Sequence, residues 1–197
     1  MKISSCELYL FLRNIHYYEE GIYEIIKDLV LFKFKSYKEL KDAVNIWCED
    51  RERGLTLYCH ISLWNVSMIT DMPFLFINKR VFNDNINDWD VSNVTDMTEL
   101  FGNCYEFNQP LDKWDVSKVA EMESTFHNCN NFNQDISKWD VSKVFEMSYM
   151  FSGCKKFNSE LSNWNVSKVE DMTEMFSECY RFNQDISKWN VIKVTNL

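Results

Sequence analysis

Four cysteines, Cys104, Cys129, Cys154 and Cys179, stand 25 residues apart, and a column of thiols could in principle hold a metal ion or carry redox chemistry. A metal site needs ligands converging on one point, whereas a column spreads them along an axis. Each of these cysteines also closes an apolar series such as Val94, Met97, Phe101 and Cys104, where a free thiol behaves as a small hydrophobe. Packing is therefore the better reading of the column. Cys6, Cys48 and Cys59 lie outside this register, and an odd cysteine count without a secretion signal favours reduced thiols. A second column, Asn65, Asp90, Asp115, Asp140, Asn165 and Asn190, suggests calcium, but it supplies one acid per 25 residues where calcium needs six or more oxygens around one point. Lysines flank it on both sides, Lys118, Lys143, Lys168 and Lys193 on one and Lys113, Lys138 and Lys188 on the other, so a solvated, charge-balanced face is expected. His16, His60 and His127 are far apart and none stands beside a nucleophile or carboxylate partner. With no constellation to fill the roles of nucleophile, base and oxyanion donor, the expectation is no enzyme, no metal and no cofactor. Asn65, Asn93 and Asn165 fall in glycosylation sequons that arise from the repeat's own Ser and Thr.

These columns exist because the chain repeats. Trp64, Trp89, Trp114, Trp139, Trp164 and Trp189 are spaced by 25 residues. With Trp as slot 1, the unit reads W-[DN]-V-S-x-V-x-[DE]-M-x-x-[LM]-F-x-x-C-x-x-F-N-x-x-[IL]-x-x. Five full units run 64–88, 89–113, 114–138, 139–163 and 164–188, and a partial sixth reaches Leu197. A fixed period of this length is the signature of stacked repeats.

Two local patterns alternate within the unit. Val94, Met97, Phe101 and Cys104 step by three, four and three, which predicts a short helix with these residues on one side and Asp96 near its start. Leu111, Trp114 and Val116 have the L-x-x-L-x-L spacing of a leucine-rich-repeat strand. The fold class expected is thus α/β: a leucine-rich-repeat-like right-handed solenoid with short parallel strands and short helices, capped by an N-terminal helical segment. Only four Gly and two Pro occur in the chain, so Asn, Asp and Ser must make its turns. Asn83, Asn108, Asn133, Asn158 and Asn183 follow an aromatic corner in each unit; they are expected either as an inward ladder of amides or as simple turn formers.

Residues 1–60 do not share the register and are read as an N-terminal helical cap or adaptor, with residues 61–197 as the repeat array. Ser36 and Glu39 form a capping box, and Leu40, Val44 and Trp47 continue a helical stripe ending near Gly54. Residues 5–33 suggest one or two further helices broken near Gly21. The apolar patch after Cys6 is too short for a signal peptide or a membrane span, and it follows the cysteine where a lipoprotein signal would precede it. The net charge of −9 and pI near 4.9 argue against a nucleic-acid partner, whose phosphates need clustered Lys and Arg.

The lead-in FKSYKELKDAVNIWCEDRE, the entry ISLWNVSMITDM and the core WDVSxVxxMxxxFxxCxxFNQ resemble the BspA-like leucine-rich-repeat family, also described as the mycoplasma lipoprotein-type 25-residue repeat. The resemblance covers residues 34–197. Members occur in bacterial surface proteins, protists and large DNA viruses, so it implies adhesion or protein interaction without catalysis. The missing signal peptide departs from the surface members and favours an intracellular, cytoplasmic or virion-associated protein by analogy.

Two contact surfaces are expected. One is an outward strand face of Lys113, Asp115, Ser117, Lys138, Asp140, Ser142 and Lys188. The other is an uncapped C-terminal end of Val169, Met172, Phe176, Trp189, Val191, Val194 and Leu197, since exposed apolar patches mark contacts. The first suits a protein-binding module. The second suits a structural subunit, a scaffold or virion component meeting a second copy or another protein.

Overall fold

The computed structural model describes residues 31–197; the helices expected within residues 5–33 lie almost wholly outside them, as does the cysteine discussed as a lipidation site. Two helices open the described chain. Helix α1, Tyr37–Glu49, starts where the Ser36 hydroxyl accepts the Glu39 N–H, and it buries Leu40, Ala43, Val44 and Trp47. Its apolar spacing matches the expected stripe, but it ends earlier than Gly54 because Asp50 starts a second helix, α2, Arg51–Tyr58, by accepting the Arg53 N–H. Gly54 lets α2 lie against α1: a Cβ there would stand 3.0 Å from the Trp47 ring. No helix among the described residues is long and apolar enough to cross a membrane.

The repeats contain no helix and, among the described residues, the chain has no strand or sheet beyond isolated bridges. The α/β solenoid of strands and helices is therefore not what forms. Each 25-residue unit is instead a circuit built from β-turns, here called a coil. In the second unit the N–H of Val94 bonds the carbonyl of Val91, Leu100 that of Met97, Cys104 that of Phe101, Phe107 that of Cys104, and Trp114 that of Leu111, all at 2.9–3.1 Å. A β-turn hydrogen bond joins residue i to i+3 and turns the central pair outward. Apolar residues at both ends of each turn thus point in, and polar pairs such as Ser92-Asn93 and Asp112-Lys113 point out. The steps of three that read as a helical stripe come from consecutive turns.

The turns need special backbone. Phe74, Glu99, Ser124, Tyr149 and Glu174 at slot 11, with Asn78, Asn103, Asn128, Gly153 and Glu178 at slot 15, all have positive φ. Slot 15 is filled mainly by Asn and Gly, which tolerate the left-handed region. Side chains replace Gly and Pro elsewhere: Asp90, Asp115 and Asp140 accept the N–H of Ser92, Ser117 and Ser142, and Asp96 and Asp171 accept that of Thr98 and Thr173. Asp96 is thus a turn former, not a helix-start residue.

Coils stack by hydrogen bonds along one edge. Met97, Glu99, Phe101 and Asn103 donate their N–H to the carbonyls of Glu121, Glu123, Thr125 and His127 in the next coil at 2.8–3.0 Å, and the same four slots repeat the pattern through Gly153, which donates to Ser177. Single parallel bridges link Asp71, Asp96, Glu121, Glu146, Asp171 and Asn196.

The interior is a set of files. Trp64 through Trp164 are at most 4% exposed, and Trp114 and Trp139 lie 6.4 Å apart and 3° from parallel. Phe101 and Phe126 stack at 5.5 Å, and Phe107 lies 4.1 Å from Phe101 within its own coil. Each buried indole removes about 150–250 Å² from water, an upper bound near 4–6 kcal/mol before entropy. The Asn83–Asn183 column forms a ladder, but on the outside. The Asn83 amide oxygen accepts the Asn108 N–H at 2.9 Å, and Asn108, Asn133 and Asn158 repeat this, with side chains exposed or half-buried.

Candidate functional site

The stack has two chemically different ends. Because the N–H groups at slots 9, 11, 13 and 15 point toward the C-terminal end while that of slot 7 points back, the first coil presents carbonyls to the cap, and α1 supplies donors for them. The Tyr37 hydroxyl donates to Pro73 at 2.6 Å, and the Lys41 ammonium donates to Leu75 at 3.1 Å and to Phe74. Burial, helped by the nearby Lys79 charge, holds the Lys41 ammonium below the ordinary lysine range. Lys79 stands where other coils carry Cys and pairs with Glu49 of α1 at 3.2 Å. Asp84 ties the cap down by accepting from the Trp47 indole at 2.9 Å and pairing with Arg51 at 2.7 Å.

At the other end the same polarity leaves donors. Met172 donates to Asn196 at 3.0 Å, but among the described residues the N–H groups of Glu174, Phe176 and Glu178, counterparts of Tyr149, Phe151 and Gly153, meet no acceptor. Beside them lies an apolar cavity of about 430 Å³. Of the end residues expected from sequence, Met172, Phe176, Trp189, Val191 and Leu197 line it; Val194 packs half-buried against the core, and Val169 is fully buried in the core instead of lying at the surface. Met175 and Ile186 also line it; the slot of Ile186 is apolar in every full unit and that of Met175 in all but the one with Thr125, so the repeat pattern contained the signal.

The residues expected on a strand face sit on turns. Lys113, Asp115, Lys138, Asp140 and Lys188 are exposed, and Ser117 and Ser142 are half-buried. There is no strand to align them: the Asp side chains are engaged with the Ser N–H groups and hydroxyls, which hold both carboxyls below the usual range. Lys113 bridges to Asp88 of the previous coil at 2.6 Å, both groups well exposed, a contact that stabilises little. The neighbouring edge at slots 7–11 is acidic. Glu123 is pushed above the ordinary glutamate range by desolvation and by Glu146, Glu99, Asp171 and Glu121.

The thiol column is satisfied internally. Cys104, Cys129, Cys154 and Cys179 donate to the carbonyls of Phe76, Phe101, Phe126 and Phe151 in the coil below at 2.9–3.1 Å. Burial pushes Cys129 and Cys154 well above the thiol range and Cys179 up to about 11, which suppresses the reactive thiolate. Cys59 differs from the reduced thiols expected: it is disulfide-bonded. Among the described residues no group of His, Cys, Asp and Glu is arranged to hold a metal. His127 is half-buried and contacts the Asn128 amide at 2.9 Å.

A ladder missed by sequence reading runs along slot 15. Asn103 donates to Asn78 at 3.0 Å and Asn128 to Asn103 at 2.9 Å, through side-chain amides. The recurrence of Asn and Gly at that slot was the available clue.

A family model described as a Mycoplasma protein of unknown function, DUF285, matches residues 54–144 and 110–197. No curated protein and no solved structure matches the chain. With well over half of its length matched, the chain belongs to this repeat-containing family of Mycoplasma proteins of unknown function, DUF285.

Proposed function

We propose that the protein is a non-catalytic protein-interaction module of the BspA-like repeat type and that one of its contacts is the apolar surface around Met172, Phe176 and Trp189. The observation that carries this reading is the cavity of about 430 Å³ lined by Met172, Phe176, Trp189 and Leu197. Apolar surface is costly to leave in water and rewards a partner that covers it. The interior thiols and indoles are engaged in coil-to-coil bonds, so this reading rests on the surface.

The test is capture of a partner by purified protein and by a Val191→Asp, Leu197→Asp double variant. Both side chains are exposed, at 44% and 87%, so the fold tolerates the change. Loss of capture in this variant, with capture retained by Lys113→Glu, Lys138→Glu and Lys188→Glu together, supports this surface as the contact. Equal capture by all three proteins overturns it. Sedimentation at tens of micromolar separates a module for other chains, which stays monomeric, from a structural subunit that assembles with itself.

A further inference from the structure

A second surface shares no residue with the cavity around Met172 and Trp189. It is the outer face of slots 17–22, along which the Asn83–Asn183 ladder runs. The amide oxygens of Asn83, Asn108, Asn133 and Asn158 each accept the backbone N–H of the following Asn at 2.7–2.9 Å. Gln109 and Gln134 donate to the oxygens of Asn83 and Asn108 at 3.1 and 2.9 Å, and Gln184 donates to the Asn158 carbonyl at 3.0 Å. A backbone N–H can only donate, so these bonds fix which end of each Asn amide faces the chain. The Nδ2 groups of the four Asn and the Oε1 atoms of the three Gln are left to solvent, without a protein partner among the described residues. An acid would accept the same N–H, and this chain tolerates a column of acids at Asp71, Asp96, Glu121, Glu146 and Asp171. All five units nevertheless carry Asn at slot 20, which keeps a donor on the outside. The row repeats with the phenyl file just beneath it, whose rings are 5.8–6.0 Å apart.

The rest of the face suits the same kind of ligand. Across slots 17–22 of the five units eleven side chains are Asn or Gln, and four basic side chains stand against five acidic ones, near balance in a chain of net charge −9. A polyanion needs clustered Lys and Arg, and a polycation needs the reverse; neither meets a field of one sign here. Slot 17 adds two Tyr rings: Tyr180 is 72% exposed, and Tyr105 is half-buried with the Arg80 guanidinium 5.5 Å over its ring. A Tyr ring offers an apolar face beside polar groups, on which the C–H face of a sugar ring can lie while its hydroxyls meet the amides. Hydroxyls both donate and accept, so they pair with Nδ2 and Oε1 groups alike. Because coil-to-coil bonds already hold the amides, binding orders few side chains. We infer that this face binds an extended, uncharged polysaccharide lying along the stack, with its hydroxyls on the Asn and Gln amides and its ring faces on Tyr105 and Tyr180.

The probes are cellohexaose and N-acetylchitohexaose, added to the full chain, with the side-chain amide signals in nitrogen–proton correlation spectra as readout. The expected result is saturable binding of at least one of them that shifts the Asn108 and Asn133 Nδ2 signals. Those of Asn103 and Asn128, whose Nδ2 groups are bonded within the slot 15 ladder, should stay in place. Asn108→Asp with Asn133→Asp keeps the oxygens that the stack uses and removes the outward donors, so it should melt near the parent and bind at least about tenfold more weakly. Tyr180→Ala, at an exposed site, should also weaken binding without changing the melt. No binding of either sugar at millimolar concentration, full binding by the Asp variant, or shifts confined to other amides would each overturn the inference. Tighter binding of oligolysine or oligoglutamate at the same amides would give the face to a charged partner and overturn it too. The Val191→Asp, Leu197→Asp variant should bind the sugar as the parent does, so the two surfaces stand or fall separately.

Discussion

The indole of Trp139 donates to the carbonyl of Leu111 at 3.1 Å, and that carbonyl also accepts the N–H of Trp114 at 3.1 Å. Both lone pairs of one turn carbonyl are thus used, one by the turn's own N–H and one by the indole a further 25 residues on. Phe101 is used in the same way by Cys104 and Cys129. This double use explains why Trp recurs at slot 1 where a larger set of aromatics would fill the space.

Replacing Trp139 separates burial from bonding. Trp139→Phe keeps an aromatic ring and loses the indole donor, so it should cost about 1–2 kcal/mol. Trp139→Ala empties the file and should cost roughly 3–5 kcal/mol. Urea denaturation of both variants checks the order; an alanine variant that unfolds at the parent's midpoint would refute the interior file.

Gly153 and Asn128 should be coupled. Gly153 has φ +77°, and a Cβ there would stand 2.2 Å from the Asn128 amide oxygen, so Gly153→Ala should destabilise by roughly 1–3 kcal/mol. Adding Asn128→Ala removes the clash but not the backbone strain, and the double variant should lose less than the sum of the singles. Gly102→Ala meets the movable Glu99 carboxylate at 3.2 Å and, at ordinary contact distance, the Glu99 carbonyl at 3.4 Å, and should stay within about 1 kcal/mol of the parent. Thermal melts of the four proteins test this.

Thiol labelling should follow the files. Cys104, Cys129 and Cys154 are fully buried and should resist iodoacetamide until the protein unfolds. Cys48 and Cys179 are partly exposed, with burial pushing both up to about 11; at pH 8 only about one thiol in a thousand is thiolate. They should label slowly at pH 8 and much faster at pH 10, as peptide mass mapping would reveal. Rapid labelling of Cys129 at pH 8 would contradict the packing.

Acid should loosen the Asx turns. Asp115 and Asp140 are held below the usual carboxylate range first by the Ser hydroxyls and then by the Ser N–H groups. A depressed folded pKa contributes stability that is present above the unfolded value, about 3.9, and is lost as pH falls through the folded value. Asn keeps the acceptor oxygen without the proton, and it already occupies this slot at Asn65, Asn165 and Asn190. Asp115→Asn with Asp140→Asn should therefore melt close to the parent at pH 7 and lose less on acidification from pH 5 to pH 2. An acid limb identical to the parent's would exclude these carboxyls as its source.

Much of this protein was legible without coordinates. The Trp spacing marks the 25-residue unit; the apolar slots name the interior, down to Val94, Met97, Phe101 and Cys104; and Ser36 marks the start of α1. Those features are legible because burial and helix capping depend on residue type and local spacing. The kind of secondary structure in the repeats was not legible. Steps of three and four residues arise equally from a helix and from consecutive β-turns, and the choice rests on where the backbone N–H groups of Met97, Glu99, Phe101 and Asn103 go. In a helix they would stay within the unit. Here they leave it for the next coil, so only the stacked tertiary structure could decide. The same holds for the direction of stacking: that the N–H groups at slots 9, 11, 13 and 15 all bond the following coil becomes visible only in the tertiary structure.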